Sequence, residues 1–156
     1  MDFAVICWVY LYNMVNFACE LAIFNDMTHC DTLNDYISSS IRNNWNLPAL
    51  TDFHGNSYFY KDVARKAVKL HILYEHCGIK KGDKIAICGR NSSQWAIAFL
   101  ATVTYGAVIV PILSDFKPDN IHHLVNHSEA KLLFVDSAIW ENLDYEVMKD
   151  LDGVIS

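Results

Sequence analysis

The chain has 156 residues, just over half of them apolar, which is enough for one ordinary domain with a sizeable core. Its formal net charge of −6 excludes the basic stripe expected of a nucleic-acid binder. Five cysteines in odd number, with no CxxC pair, exclude a disulfide framework or a zinc knuckle and point to a reducing cytosol.

The first basic residue is Arg42, and residues 1–24 are nearly all apolar, broken by Asn13, Asn16 and Glu20. A secretory signal needs a positive start, and this segment has Asp2 instead. A membrane helix needs about 20 apolar residues, so the length just suffices. Glu20 would cost roughly 2–3 kcal/mol in lipid, however, and no Lys or Arg flanks the run. A membrane anchor through residues 3–24 is therefore the disfavoured reading. The composition turns ordinary at Met27, and the expectation is an apolar extension over 1–26 preceding a body over 27–156.

Thr32 and Asp35 have capping-box spacing, and Leu33, Tyr36, Ile37 and Ile41 recur at helical intervals, so a helix is expected over 33–43. "PALTDF" and "SYFYKD" flank "HGN" and read as a β-hairpin, with Gly55 free to take a positive φ. A second helix is expected from Lys61 to about Cys77. Val63, Ala67, Leu70, Leu73, Tyr74 and Cys77 form its apolar stripe, and Gly78 stands in the C′ position.

Beyond Gly78 the pattern alternates. "KIAIC" is a strand, and "SSQWAIAFLATVTYG" is a helix capped by Ser92 or Ser93 and stopped by Gly106. "VIVPI" reads as a second buried strand. "KPDNIHHLVNHS" is a short helix with Pro118 in its first turn. "KLLFV" is a third strand, "SAIWENLDYEVMKDL" a further helix, and "GVIS" the start of a fourth strand. Continuous apolar strands alternating with helices imply an α/β fold: a partial parallel sheet with helices on both faces, preceded by a helix and a β-hairpin. The chain stops inside the last strand, at Ser156, which reads as a domain cut at its C-terminal end.

Four constellations have competing readings. The turn "CGRNSSQW" ends a strand and opens a helix, as nucleotide sites do. It has one glycine, Gly89, where a dinucleotide fingerprint needs three, and it has no Walker lysine. Capping by Asn91 or Ser92 with a solvated Arg90 is the favoured account. His123 and His127 share a helix face at i, i+4, but no third ligand is placed beside them, so an exposed helix is preferred to a metal site. Lys80, Lys81 and Lys84 read as a solvated turn, and Trp95, Phe99 and Tyr105 as a packed helix face.

Taken in order, Tyr60, Gly78, Gly82, Asp83, Asn91, Ser92, Trp95, Gly106, Ala107 and Pro111 form a series that resembles the opening of the AMP-forming adenylating enzymes. That superfamily includes acyl-CoA synthetases, luciferases and peptide-synthetase adenylation domains. "IHHLVNHSEAKLLFV" resembles the family's next helix and strand. The resemblance covers about residues 41–156 and is most like bacterial long-chain fatty acid–CoA ligases. It implies that residues 27–156 are an incomplete N-terminal portion of an AMP-binding domain. It also implies a complete enzyme that joins a fatty acid to ATP with Mg²⁺ and passes the acyl group to CoA. The family's phosphate loop, nucleotide site and catalytic lysine lie downstream of the matched portion, and no Ser or Thr here is followed by Gly. No catalytic, cofactor-binding or metal residue is therefore assigned to this chain, and it is expected to be inactive alone. Fatty acid, ATP and CoA are the implied small-molecule partners of the complete enzyme, with no nucleic acid among them. The resemblance gives Asp83 the ordering of the Gly82 turn and Asn91 the backbone groups at the helix start. A standalone α/β interaction module, or a membrane-anchored form, is the alternative.

Overall fold

The computed structural model describes residues 32–156. The apolar extension expected over 1–26 lies outside the described residues. The chain forms two compact units that divide at Leu70 and His71.

In the first unit, α1 (Leu33–Asn43) opens on a complete capping box. Thr32 Oγ1 accepts the Asp35 N–H at 3.3 Å, and Asp35 Oδ2 accepts the Thr32 N–H at 3.0 Å. Two orphan donors of the first turn are satisfied in this way. Strands β1 (Pro48–Thr51) and β2 (Ser57–Phe59) pair antiparallel as expected. The positive φ in their connection belongs to His54 rather than Gly55. Gly55 is needed for space instead, because a Cβ there would lie 2.9 Å from Asp52 Cβ. β2 ends at Phe59, earlier than the sequence pattern suggested, because α2 (Tyr60–His76) starts at once. The Asp62 carboxylate accepts the Phe59 N–H at 3.0 Å and fixes that start.

In the second unit, α2 ends in a Schellman turn. Gly78 has φ +74°, its N–H reaches Glu75 O, and the Ile79 N–H reaches Tyr74 O. Cys77 is exposed, so it is not part of the buried stripe expected for this helix. Strand β3 (Lys84–Cys88), helix α3 (Ser93–Tyr105), strand β4 (Val108–Ile112), helix α4 (Pro118–Ser128) and strand β5 (Ala130–Val135) follow. After them come a single helical turn α5 (Ser137–Trp140), a 3₁₀ turn at Tyr145–Val147, and β6 (Gly153–Ile155). The four strands form one parallel sheet in the order β4-β3-β5-β6.

Residues alternate between the two faces of this sheet. Ala86, Cys88, Leu133 and Val135 join Ile121 and Val125 of α4 in the main core, with Met148 and Leu151. From the other face Phe134 meets Tyr74 edge-on at 6.2 Å, and the buried Tyr74 hydroxyl bonds Thr102 of α3 at 3.1 Å. A fully buried apolar side chain of this core, such as Leu133, is worth about 1.5–3 kcal/mol.

Two expectations fail here. The β4 strand is an edge of the described sheet, with Val108 and Pro111 exposed, and is not a second fully buried strand. An edge tolerates a proline, which has no N–H to give to the ladder. Residues 137–151 do not form one helix. The chain leaves α5 after one turn because Met148 and Leu151 are drawn into the core and neighbouring side chains take over its backbone hydrogen bonds.

Candidate functional site

The strand order reverses direction at β3: β4 lies on one side of it and β5 on the other. In open parallel sheets the crevice outside the carboxyl ends of the strands at such a switch point is the usual ligand site. Two exits meet here, the 88–93 turn after β3 and the start of the segment after β5.

A side chain from the second exit fills the first. The Asp136 carboxylate accepts the Arg90 N–H at 2.8 Å, and the Asp136 N–H donates to Cys88 O at 3.1 Å. A Cβ at Gly89 would stand 2.8 Å from Asp136 Oδ1, so the glycine exists to admit this carboxylate. One turn further on, the Trp95 N–H donates to Ser92 Oγ at 3.1 Å, which caps α3. The cap is Ser92, and the role expected for Asn91 passes to it. Two N–H groups of this turn are thus engaged, that of Arg90 by a carboxylate and that of Trp95 by the Ser92 hydroxyl. A second anion in the same place would be repelled at close range. Burial, with the nearby Asp136 charge adding to it, pushes the Cys88 thiol up to about 11, which leaves it a poor nucleophile.

On the β4 side lies an open cleft of about 390 Å³, whose walls include Arg90, Asn91, Trp95, Leu113, Ser114 and Asp115. Trp95 stacks on Phe99 with ring centroids 5.5 Å apart. The mixed lining can hold a polar ligand against an indole, but it presents no thiol or imidazole for covalent or acid–base chemistry.

The other residues singled out by sequence fall elsewhere. Asp83 Oδ2 accepts the Lys80 N–H at 2.8 Å and orders the turn in which Gly82 has φ +86°. Lys84 pairs with Glu129 at 3.2 Å on the surface. The His123 and His127 rings stack at 5.8 Å on the exposed face of α4, and among the described residues no group of three metal-ligating side chains forms. Asp136 was missed by sequence reasoning. Its signal is an acidic residue directly after an apolar strand, at the carboxyl edge where parallel sheets place their chemistry.

The family model described as AMP-binding enzyme matches residues 38–154. The chain belongs to the AMP-binding enzyme family. Among curated relatives it is 28% identical over 108 residues to surfactin synthase subunit 2 of Bacillus subtilis (strain 168), a match covering 69% of this chain and 3% of that protein. It is 32% identical over 90 residues to long chain acyl-CoA synthetase 3 of Arabidopsis thaliana, covering 58% of this chain and 13% of that one. A long-chain-fatty-acid-CoA ligase from Archaeoglobus fulgidus shares the fold, with a TM-score of 0.73 at 23% identity over 85% of this chain and 28% of that one. The chain thus spans a minor part of each of these AMP-binding relatives. Among the described residues no helix is long and apolar enough to cross a membrane.

Proposed function

We propose that this chain works as the N-terminal scaffold of an ATP-dependent, AMP-forming acyl-CoA ligase. A fatty acid is the carboxylate substrate, and ATP, Mg²⁺ and CoA are the other reactants. The family match over residues 38–154 carries this reading. The acyl-CoA synthetases among the relatives support the choice of acid–thiol ligation.

The residues of this chain do not fit the reacting phosphates of ATP. The switch-point turn gives its Arg90 and Trp95 N–H groups to Asp136 and Ser92, and the sequence has no glycine-rich phosphate loop. Such a reaction needs donors aimed at the charge that develops on the transferred group. No step is therefore assigned to a residue here. The portion is read as holding the sheet on which the reacting part of the enzyme is built, and as inactive alone. A cytosolic setting accords with the cysteine usage.

Two measurements test the reading. The purified chain is expected to give no fatty-acid-dependent ATP–pyrophosphate exchange, and exchange above background would overturn its inactivity. A chimera carrying residues 38–154 in place of the matching segment of a long-chain acyl-CoA synthetase is expected to keep fatty-acid-dependent AMP release. A folded chimera without that activity would count against the ligase reading.

A further inference from the structure

Two side chains one turn apart on α4 hold the segment between α5 and β6. His122 Nε2 accepts the Asp144 N–H at 2.9 Å. Asn126 donates through Nδ2 to Val147 O at 2.9 Å and accepts the Lys149 N–H on Oδ1 at 3.1 Å. Asp144 in turn accepts the Glu146 N–H at 3.0 Å, closing the 3₁₀ turn. Residues 141–151 form a strap across α4 that sinks Met148 and Leu151 into the core before the chain enters β6.

The two anchors differ in one property. Asn126 does not titrate. His122 can accept a hydrogen bond on Nε2 only while that nitrogen lacks a proton, so its bond to Asp144 requires the neutral ring. His122 is buried while Asp144 is exposed, so on losing the bond the imidazole is the group that water replaces poorly. A proton on Nε2 would set two donors against each other.

The surroundings do not restore the lost acceptor. The strands β4 and β5 meet the inner face of α4 with apolar side chains, Ile112, Leu133 and Val135. Titratable groups come from the strap, where Asp144 and Glu146 are nearest in sequence to the bond and Glu141, Lys149 and Asp150 flank them. On α4 itself Asp119 and His123 are neighbours in sequence. A carboxylate among these can attract an imidazolium, but it cannot give the Asp144 N–H an acceptor at Nε2.

We propose that His122 is a proton-sensitive latch. When neutral, it holds the first half of the strap on α4. When protonated, it releases that half while Asn126 keeps the second. A bond that needs the neutral ring weakens about tenfold for each pH unit below the ring's own titration.

Amide hydrogen exchange of the full chain, read by NMR and corrected for intrinsic rates, tests this at about pH 7.5 and about pH 5, the span in which imidazoles take up a proton. Protection of the Asp144 amide is expected to fall at least about tenfold at the lower pH, while that of Lys149 holds. In His122→Gln, whose amide oxygen accepts without titrating, Asp144 should stay protected at both values. Three results would overturn the proposal: unchanged Asp144 protection in the wild-type chain, an equal fall in His122→Gln, or a rise at low pH because a carboxylate has captured the imidazolium. If His122→Gln fails to fold, the His122 ring and the Asp144 amide shift are titrated together in the wild type. Coincident midpoints support the latch, and separate midpoints refute it.

Discussion

The exits from β3 and β5 start alike and end differently. Each follows an apolar parallel strand at the same edge of the sheet, and each is pinned by Asp136. After β3 the chain needs four residues to enter a 13-residue helix, capped by Ser92 and stopped by Gly106 at φ +89°. After β5 the helix lasts four residues and gives way to a strap held by α4. Beyond the shared Asp136, the first exit is organised by its own cap and stop, Ser92 and Gly106. The second is organised by residues more than 20 positions away in the sequence. A helix begins where its own cap says so, but it continues only where no tertiary partner offers its backbone and its apolar side chains something better.

The sharpest way to break both exits together is Leu133→Ala. Leu133 is fully buried in the strand between them, so a loss of about 2–5 kcal/mol is expected. Urea unfolding should show it as a lower midpoint at unchanged slope. Gly89→Ala attacks only the link between the exits. The new methyl would displace the Asp136 carboxylate from the Arg90 N–H; the bond is exposed and water can replace it, so about 0.5–1.5 kcal/mol is expected. Asp136→Asn in the same background should then cost little more, because the bond is already broken. Additive losses in that double mutant would show that the two residues do not act through each other. Ser92→Ala removes the local cap of the first exit, and about 1 kcal/mol is expected. Amides of α3 should lose protection while those of the strap do not.

What was legible in the sequence follows the same division. The α1 capping box, the C′ glycines at 78 and 106, Pro118 at the start of α4 and the apolar strands are written in residues that act on their own neighbours. The parallel sheet could be read from them. The strap could not, because Leu143, Tyr145, Met148 and Leu151 suit a helix until His122 and Asn126 are brought alongside. The carboxylate at Gly89 was hidden for a similar reason: its partner is 46 positions away in the sequence and meets it only once β3 and β5 pair. The edge character of β4 is likewise a property of strand order, which its five apolar residues do not encode.

Thiol chemistry offers a gentler probe of the first exit. Cys88 lies at the end of β3, buried, with its thiol pushed up to about 11, whereas Cys77 is exposed. Iodoacetamide on the native chain, followed by peptide mapping, should modify Cys77 and spare Cys88. In Gly89→Ala the labelling of Cys88 should rise as the exit loosens. Equal labelling of both cysteines in the wild-type chain would mean that the strand end opens without help.

The smallest expected effect concerns a histidine whose role is opposite to that of His122. His71 lies close to Ala101 O at 2.9 Å and Thr104 Oγ1 at 3.1 Å, near the end of α3. A carbonyl can only accept, so Nε2 of His71 carries the proton and donates. Protonating the ring adds a hydrogen at Nδ1 and leaves the Nε2 bond in place, so the penalty is the burial of a charge. That burial lowers the His71 pKa below its usual value, against the opposing pull of the Ala101 bond and the Glu75 charge. The unfolded chain therefore takes up a proton at His71 before the folded one does. Stability is fully present above the ordinary imidazole value of about 6.5 and is lost as the pH falls through the lower folded value. His71→Gln keeps a donor and does not titrate. Measured in a His122→Gln background, so that the strap does not contribute, the melting temperature of the His71→Gln chain should fall less between about pH 7 and about pH 5 than that of the chain retaining His71. Parallel pH profiles would mean that the charged ring is accommodated without cost, and that α3, unlike the strap, is insensitive to the protonation of its histidine.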